Sequence, residues 1–348
     1  MIPRPILTFA AASAFALAAA FSSPAVAEPA GRKQVAEAVA ATVQADYVYP
    51  DKGAAAARLV RKRAASGAYD RAADDKAFVE ALTSDLYSVT QDKHLVVRWS
   101  VAGYPPAVEA LAPDPAARAA ELRELKRVNF SIPRAEVLAG NVGYLRIDLF
   151  QAAQDAGATL AAAMAFLANT DALIFDLREN GGGDAATVAL ALSYLVPPQT
   201  QFVSYRSRAA AKEAQSWSVP FVPGGVWSTT RPVYVLTSGK TFSAAEEFAY
   251  DLQQLKRATI VGARTRGGAN PGVVHRISDH FRMFVPNEAA VHPLSGTNWE
   301  GAGVAPDVAV EPAQALARAH RLALEALLAK ADAADRPQLE QALAAPGG

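Results

Sequence analysis

The sequence predicts an α/β fold preceded by a helical segment. From about residue 140 onward, runs typical of buried strands alternate with runs typical of helices, which is the pattern of a layered α/β core. Two of the strand runs, residues 172–177 and 232–236, are short and apolar, and each leads through a turn into a helical pattern. Residues 31–86 instead carry apolar residues at helical spacing, with breaks near Pro50 and at Ser66-Gly67. We therefore expect an N-terminal three-helix bundle followed by an α/β core.

The chain divides into five expected segments. Its 348 residues, 51% hydrophobic and 20% charged, are enough for one large domain and a smaller one. The changes of pattern predict a signal peptide at 1–27, an N-terminal helical domain at 28–100, a connection at 101–136, the α/β core at 137–320, and a C-terminal helix and tail at 321–348.

The first of these segments is typical of a secretory signal peptide. Arg4 supplies a positive charge, residues 6–21 form an Ala-rich apolar run, and Ala25-Val26-Ala27 offers an A-x-A cleavage site before Glu28. The apolar run is shorter than the roughly 18 residues that a spanning helix needs, so an uncleaved membrane anchor is the weaker alternative. We expect a secreted or periplasmic protein.

Charge and cysteine content narrow the function classes. Lysine and arginine number 34, as do aspartate and glutamate, so the formal net charge is zero. Bulk electrostatics therefore predict neither a nucleic-acid partner nor an anionic membrane surface. The absence of cysteine excludes disulfides.

The remaining elements of the core follow in a regular order. Turn residues at 139–141 predict a hairpin across residues 137–149. After it we expect helices over 154–167 and 187–195, a polar insertion without regular period over 205–227, a strand over 258–262, a hairpin over 273–285, a short strand ending near 308, and a helix from 312.

Ser243 lies where the strand run 232–236 turns into a helix. A hydroxyl at that corner lies in the positive field of the helix N-terminus, and the N–H of Ala244 has no acceptor within the helix. The corner could therefore stabilise both an alkoxide and an oxyanion. The alternative is structural, because Ser243 and Glu246 also match a capping box. The cap is the commoner role unless a base and an oxyanion hole are found elsewhere.

Three consecutive glycines, residues 181–183, follow the strand run 172–177 directly. Such a turn lets the backbone approach a ligand closely with its N–H groups. The sequence has neither the Lys-Ser/Thr pair of a Walker loop nor a spaced Gly-x-Gly-x-x-Gly motif. A plain tight turn and an oxyanion donor both remain open.

His94 lies at a boundary between a polar turn and a strand-like segment. A lone histidine in such a place is more often a hydrogen-bonded structural residue than a base. Asp92, two residues before it, is a candidate local partner.

Four motifs in this order resemble the S41 serine peptidases. They are DLRENGGG at 176–183, TFSAAEEF at 241–248, VGARTRGG at 261–268 and WEGAGVAPD at 299–307. That family includes the C-terminal processing peptidases, the tricorn core and the interphotoreceptor retinoid-binding protein repeats. The N-terminal helices and the turn at 90–95 are similar to the retinoid-binding-protein branch. The resemblance implies a crotonase/ClpP-like β-α core.

The resemblance also implies roles for individual residues. Ser243 would be the nucleophile, and the N–H of Ala244 with that of Gly182 or Gly183 would form the oxyanion hole. Two features depart from the processing peptidases. Their lysine base is missing from the loop 266–268, and the connection after residue 102 is too short for a PDZ domain.

The tricorn-like branch uses histidine and glutamate instead, and those positions match His94 and Glu300. Histidine suits the task, because its ordinary pKa lies near 6.5. In tricorn a serine directly before the histidine connects it to the glutamate, whereas Lys93 stands there in this chain. Glu300 could support His94 directly, through water, or by binding a substrate amine. Lys240, His275 and His280 are weaker candidates for the base.

The expectation is therefore an exported serine endopeptidase acting on peptide or protein substrates, with Ser243, His94 and Glu300 as catalytic residues. It needs no metal or organic cofactor, and relatives suggest a possible homo-oligomer. The main alternative is a carrier of retinoids or fatty acids on the same fold. A crotonase-like acyl-CoA enzyme is a third reading, made improbable by the expected export.

Overall fold

The computed structural model describes residues 29–104, 114–208 and 213–345. The signal peptide predicted at 1–27 lies outside the described residues, as does part of the predicted connection at 101–136. None of the helices in the described ranges is both long enough and apolar enough to cross a lipid bilayer.

Three helices form the N-terminal region, as predicted. Pro50 stands at the first turn of the second helix, where a missing N–H costs nothing, and Asp74 caps the third by accepting from the Ala77 N–H at 2.7 Å. Gln91, in the left-handed conformation, ends the third helix. The helices are α1 (Pro29–Asp46), α2 (Pro50–Ala65) and α3 (Asp75–Thr90).

A six-stranded sheet forms the centre of the core. Its order is β12-β8-β7-β4-β3-β2, and every neighbouring pair is parallel except β2 with β3. The mixed α/β class predicted from the sequence is confirmed. The strands are β2 (Arg134–Leu138), β3 (Val142–Arg146), β4 (Ala172–Asp176), β7 (Val233–Thr237), β8 (Thr259–Gly262) and β12 (Val308–Ala309).

Helices cover both faces of this sheet. Along β4, Leu173 and Phe175 pack on one face while Ala172 and Ile174 pack on the other, as the alternation of a strand requires. The first face is covered by α5 (Ala153–Phe166), α6 (Ala185–Ser193) and α7 (Ala244–Gln254), and the second by α8 (Ala315–Leu328) and α9 (Arg336–Ala344).

Two smaller sheets complete the core. The hairpin predicted over 273–285 is present as β9 and β10, whereas the predicted irregular insertion over 205–227 contains strand β6 and the end of β5. β5 also pairs with β11, far along the chain, so no local pattern reveals it. The strands are β1 (Val96–Trp99), β5 (Gln201–Ser207), β6 (Ala214–Trp217), β9 (Gly272–Arg276), β10 (Phe281–Pro286) and β11 (Glu288–Val291), and α4 spans Pro115–Arg127.

The sheet β1-β10-β9 joins the N-terminal helices to the core. Leu95 and Val97, with Phe281, Met283 and Val285 of β10, belong to the same hydrophobic cluster as α1, α2 and α3. A strand that is late in the chain thus packs with the first helices. The segment boundaries given above remain a prediction.

Two carboxylates of α7 belong to a buried polar cluster. Glu247 and Asp251, one helical turn apart, are both buried, and the Nε2 atom of His292 lies 3.5 Å from Asp251 Oδ1. Burial raises the pKa of Glu247 to about 7, with Tyr205 opposing the shift and the Asp184 charge adding to it. Burial and the Glu247 charge raise the pKa of Asp251 as well, and burial lowers the pKa of His292 to about 4.

We predict that Glu247 makes the fold less stable as pH rises from about 4.5 to about 7. Over that range an unfolded glutamate ionises while the buried one keeps its proton, so stability present below the ordinary pKa is lost. Between about pH 4.5 and about pH 7, the free energy of unfolding measured in urea should fall by about 3 kcal/mol more in the wild type than in Glu247→Gln, since one pKa unit corresponds to about 1.4 kcal/mol. Glu340→Gln, on the surface of α9, is the control and should keep the wild-type slope. An unchanged slope in Glu247→Gln would contradict the prediction.

Candidate active site

Four neighbouring parallel strands end at the same edge of the large sheet. The loops that follow β3, β4, β7 and β8 therefore meet there, since the carboxyl ends of parallel strands share one edge. These loops carry the glycine turn, Ser243 and the loop around Arg266. The predicted motifs are thus brought together by the order of the strands.

Ser243 holds a strained backbone conformation at the start of α7. Its φ is 56° and its ψ is −125°, a region that residues with a Cβ rarely adopt. The Phe242 N–H donates to the Asn180 carbonyl at 3.1 Å, and the Ser243 N–H donates to Glu246 Oε2 at 2.9 Å. The capping box predicted for Ser243 and Glu246 is present. The cap and the strained, half-buried corner therefore coexist, and strain of this kind is typical of functional serines.

Glu246 is fully buried and reaches far beyond the cap. Besides the Ser243 N–H, its carboxylate accepts hydrogen bonds from the Gly267 N–H at 2.6 Å, the Gly268 N–H at 2.9 Å and the Thr265 hydroxyl. Burial raises the pKa of this carboxyl, and the four donors oppose the shift. Glu246 fixes the serine corner to the loop that follows β8, a role that sequence reasoning did not predict.

The glycine turn packs directly against Ser243. A Cβ on Gly182 would lie 2.9 Å from the Ser243 Cβ, and one on Gly183 would lie 2.0 Å from the Phe150 carbonyl oxygen. Both glycines have positive φ, 117° and 126°. Side chains are therefore excluded by space as well as by conformation. The tight turn is needed for the approach of the backbone to the serine.

The N–H groups beside Ser243 differ in whether they are already bonded. The Gly182 N–H donates to Asn180 Oδ1 at 2.8 Å. Neither the Gly183 N–H nor the Ala244 N–H has an acceptor among the residues that the structure describes. Asn180 also donates to the Ile147 carbonyl, so it holds the turn in place.

His94 lies in the turn between α3 and β1, and its ring stacks on Phe242. The two ring centroids are 4.4 Å apart, and Phe242 directly precedes Ser243. Within the described ranges no hydrogen bond joins the His94 ring to Ser243. Such bonds are often long in ligand-free enzymes, so stacking next to the serine is compatible with a general base.

Two carboxylates lie behind the His94 ring. Single donor atoms of Asp92, His94 and Glu300 all lie within 4.8 Å of one another, and Asp92 Oδ1 is 4.0 Å from His94 Nδ1. Burial raises the pKa of Glu300 to about 7, with the Asp92 charge adding to the shift. Burial also lowers the pKa of His94 to about 4, against the opposing effect of Asp92.

Lys93 stands where a serine would connect the histidine to the glutamate, but its side chain makes a different contact. Its ammonium donates to the Arg266 carbonyl, and the Arg266 guanidinium in turn lies 4.8 Å from the Phe242 ring centroid. Asp92, whose Oδ1 accepts the His94 backbone N–H at 2.9 Å, is the carboxylate whose distance to the ring is within ion-pair range. Asp92, the candidate local partner from the sequence, therefore lies beside His94 together with Glu300.

The three weaker candidates for the base are engaged elsewhere. Lys240 pairs with Glu179 at 2.8 Å, and His275 faces Asp46 at 3.7 Å. His280 Nδ1 lies 3.0 Å from the Ser100 carbonyl oxygen.

Two family models match this chain. Residues 141–310 match the model described as peptidase family S41, and residues 16–132 match the one described as the N-terminal domain of peptidase S41 in eukaryotic IRBP. This chain belongs to peptidase family S41. The resemblance read from its motifs is thereby confirmed, and membership supports the predicted class of serine-type peptidase.

Two curated relatives and one solved structure are similar to this S41 chain. A carboxyl-terminal-processing protease of Synechocystis sp. is 31% identical over 180 residues, covering 49% of this chain and 38% of the relative. A carboxy-terminal-processing protease of Bartonella bacilliformis is 29% identical over 178 residues, covering 49% and 39%. This chain therefore spans about two fifths of the length of either relative.

The structural likeness concerns the fold. A lipoprotein from Streptococcus agalactiae superimposes with a TM-score of 0.54 at 13% identity, covering 81% of this chain and 93% of the other.

We predict that Glu246→Gln destabilises the protein by about 1–3 kcal/mol, the usual cost of leaving buried donors without a partner. A glutamine offers one acceptor oxygen to the four donors and turns an NH₂ group toward backbone N–H groups. Urea unfolding at neutral pH would measure the change. The matched control is Glu179→Gln, which removes only a surface ion pair with Lys240 and should cost less than about 1 kcal/mol. Equal effects in the two variants would count against the role assigned to Glu246.

Proposed function

We propose that this chain is an exported serine endopeptidase whose nucleophile is Ser243. The observation that carries the proposal is the strained Ser243 corner. It adjoins two N–H groups that have no acceptor among the described residues, and a histidine whose ring packs on the preceding residue. A plain helix cap requires neither the strain nor the histidine. Export is proposed from the signal-like sequence at 1–27, and the S41 membership supports peptide or protein substrates.

His94 would act as the general base. Its Nδ1 atom is on the side of Asp92 and Glu300, so Nε2 is the ring nitrogen left to take the Ser243 proton. The serine oxygen then attacks the peptide carbonyl, and the imidazolium returns its proton to the leaving amine. Water activated by the same nitrogen would hydrolyse the acyl-enzyme. The two carboxylates would stabilise the positive charge on the ring during each step.

The oxyanion of the tetrahedral intermediate would rest on two backbone donors. Ala244 N–H supplies one, and of the two candidate glycines Gly183 is favoured as the other, because the Gly182 N–H is already bonded to Asn180. The loss of one such donor typically costs about 10²–10³ in rate. Gly182 would serve instead by bringing the turn against Ser243.

Asp92 and Glu300 would divide the support of His94. Asp92 accepts hydrogen bonds from the Tyr47 hydroxyl at 3.1 Å and from Asn270 at 3.4 Å, so its position depends on the segment that directly follows α1 as well as on the core. We propose that Asp92 orients the His94 ring by accepting its Nδ1–H. Glu300 adds a second negative charge beside the ring when it is ionised, and a proton when it is not. Homo-oligomer formation remains a prediction from relatives.

We predict that Ser243→Ala and His94→Ala each lower labelling by a fluorophosphonate probe at least about 10³-fold, as expected for groups that act as one unit. The purified protein would be labelled at neutral pH and the adduct measured by mass spectrometry. Two controls are matched by residue type. Ser66→Ala changes an exposed serine, and His280→Ala changes an exposed histidine, so both should label like the wild type.

A wild-type protein that folds normally yet stays unlabelled would contradict the peptidase proposal. The carrier hypothesis would then be tested by titrating retinoids and fatty acids. Labelling that survives in His94→Ala would show instead that another group activates Ser243.

A further inference from the structure

Two polar atoms in the cluster of Asp92, His94 and Glu300 lack a hydrogen-bond partner. His94 Nδ1 and Glu300 Oε1 are both buried, and neither makes a hydrogen bond to another described residue. Asp92 Oδ1 lies 4.0 Å from the same ring nitrogen. Buried polar atoms are normally satisfied, so three donor atoms within 4.8 Å of one another, two of them without a protein hydrogen-bond partner, are candidates for shared ligation.

The outer contacts of the two carboxylates are already made. Tyr47 and Asn270 donate to Asp92 Oδ2, and the Ala269 N–H donates to Glu300 Oε2 at 2.6 Å. Asp92 Oδ2 and Glu300 Oε2 are thus held by these donors, while Asp92 Oδ1 accepts the His94 backbone N–H at 2.9 Å and lies 4.0 Å from the ring nitrogen. Ligands of protein-bound metals are typically held in this way by a second layer of donors.

We propose that Asp92, His94 and Glu300 bind a divalent ion of the zinc class and that this ion switches off the proposed peptidase. The regulatory part of this inference rests on the proposed function, whereas the binding part rests on the geometry alone. The ion would take one donor atom from each side chain and keep a water as the fourth ligand.

The donor set and spacing suit zinc. One imidazole nitrogen and two carboxylate oxygens are common zinc ligands, whereas Mg²⁺ and Ca²⁺ prefer oxygen alone. Ligands about 2.0–2.2 Å from a tetrahedral ion are about 3.4 Å apart. The three atoms, at most 4.8 Å apart, would reach this spacing through small side-chain movements.

A surface groove reaches the cluster at Asp92, which is itself buried. Asp92 lines a groove of about 490 Å³ between α3 and β1, whose walls also include Lys93 and Arg266. Their positive charges oppose a cation, so we expect moderate affinity. Reversible occupation of this kind fits a regulatory ion better than a permanent structural one.

Binding at Nδ1 would inactivate His94 through its tautomer. A neutral imidazole has one proton and one free lone pair. When the Nδ1 lone pair is on the metal, the proton must be on Nε2. Nε2 can then donate but cannot accept the proton of Ser243, and the serine remains a hydroxyl.

Binding is tested in the Ser243→Ala protein, so that the result does not depend on activity. Isothermal titration with Zn²⁺ should show one ion per chain, and Mg²⁺ should not compete. Asp92→Asn and Glu300→Gln, each added to Ser243→Ala, should weaken Zn²⁺ binding at least about tenfold, as loss of a ligand predicts. His275→Ala, which removes a different His–carboxylate pair, should leave the affinity unchanged.

Zinc binding that is absent, or that is equally strong in both carboxylate variants, would overturn the site. Crystals of Ser243→Ala soaked in Zn²⁺ provide a check that needs no further variant, because anomalous density must appear among the three donor atoms.

Inhibition is measured separately from binding. Zn²⁺ should suppress fluorophosphonate labelling of the wild type in step with occupancy, and EDTA should restore it. Undiminished labelling at saturating Zn²⁺ would overturn the regulatory role. If the wild type is not labelled even without zinc, the proposed function fails and the regulatory role fails with it, while the binding site is still decided by titration.

Discussion

The buried carboxylate of Glu246 is the contact on which the arrangement of the site depends. It accepts hydrogen bonds from the Ser243 corner and from the loop containing Gly267 and Gly268, so two chain segments are fixed relative to one group. The Gly268 carbonyl in turn accepts the indole N–H of Trp299 at 2.8 Å, which places the neighbouring Glu300. Burial of this carboxylate costs solvation free energy, and the hydrogen bonds from Ser243, Thr265, Gly267 and Gly268 offset that cost.

The remaining residues of the site come from the N-terminal region. His94 and Asp92 follow α3, and the small sheet β1-β10-β9 ties that helix to the core. The position of Asp92 depends on Tyr47, which directly follows α1, and on Asn270 of the core loop. The N-terminal helices are therefore part of the candidate catalytic apparatus rather than a separate cover. A change in their packing would move the base relative to the nucleophile.

Much of the fold was predictable from local pattern. The buried runs that became β4 and β7, the hairpin of β9 and β10 and the three N-terminal helices each carry their own periodicity and turn residues. The segment 205–227 was predicted to be irregular because β6 is short and mostly exposed, and so lacks the buried alternation of a strand. β5 pairs with it locally, but the other partner of β5 is β11, about eighty residues later, and that pairing leaves no local signal. Glu246 was predicted only as a cap for the same reason, since its other partners lie about twenty residues away.

The sequence by itself determined the α/β class, the S41 motifs and the candidates Ser243, His94 and Glu300, because residue types and spacing within short segments carry that information. The tertiary structure decided which N–H groups beside the serine lack an acceptor in the described part of the chain, and that Asp92 lies with Glu300 beside the His94 ring. It also decided that two buried atoms there make no hydrogen bond to another described residue. Those properties depend on distances between segments that are far apart in the chain, and such distances exist only once the parallel sheet and the N-terminal helices have packed together.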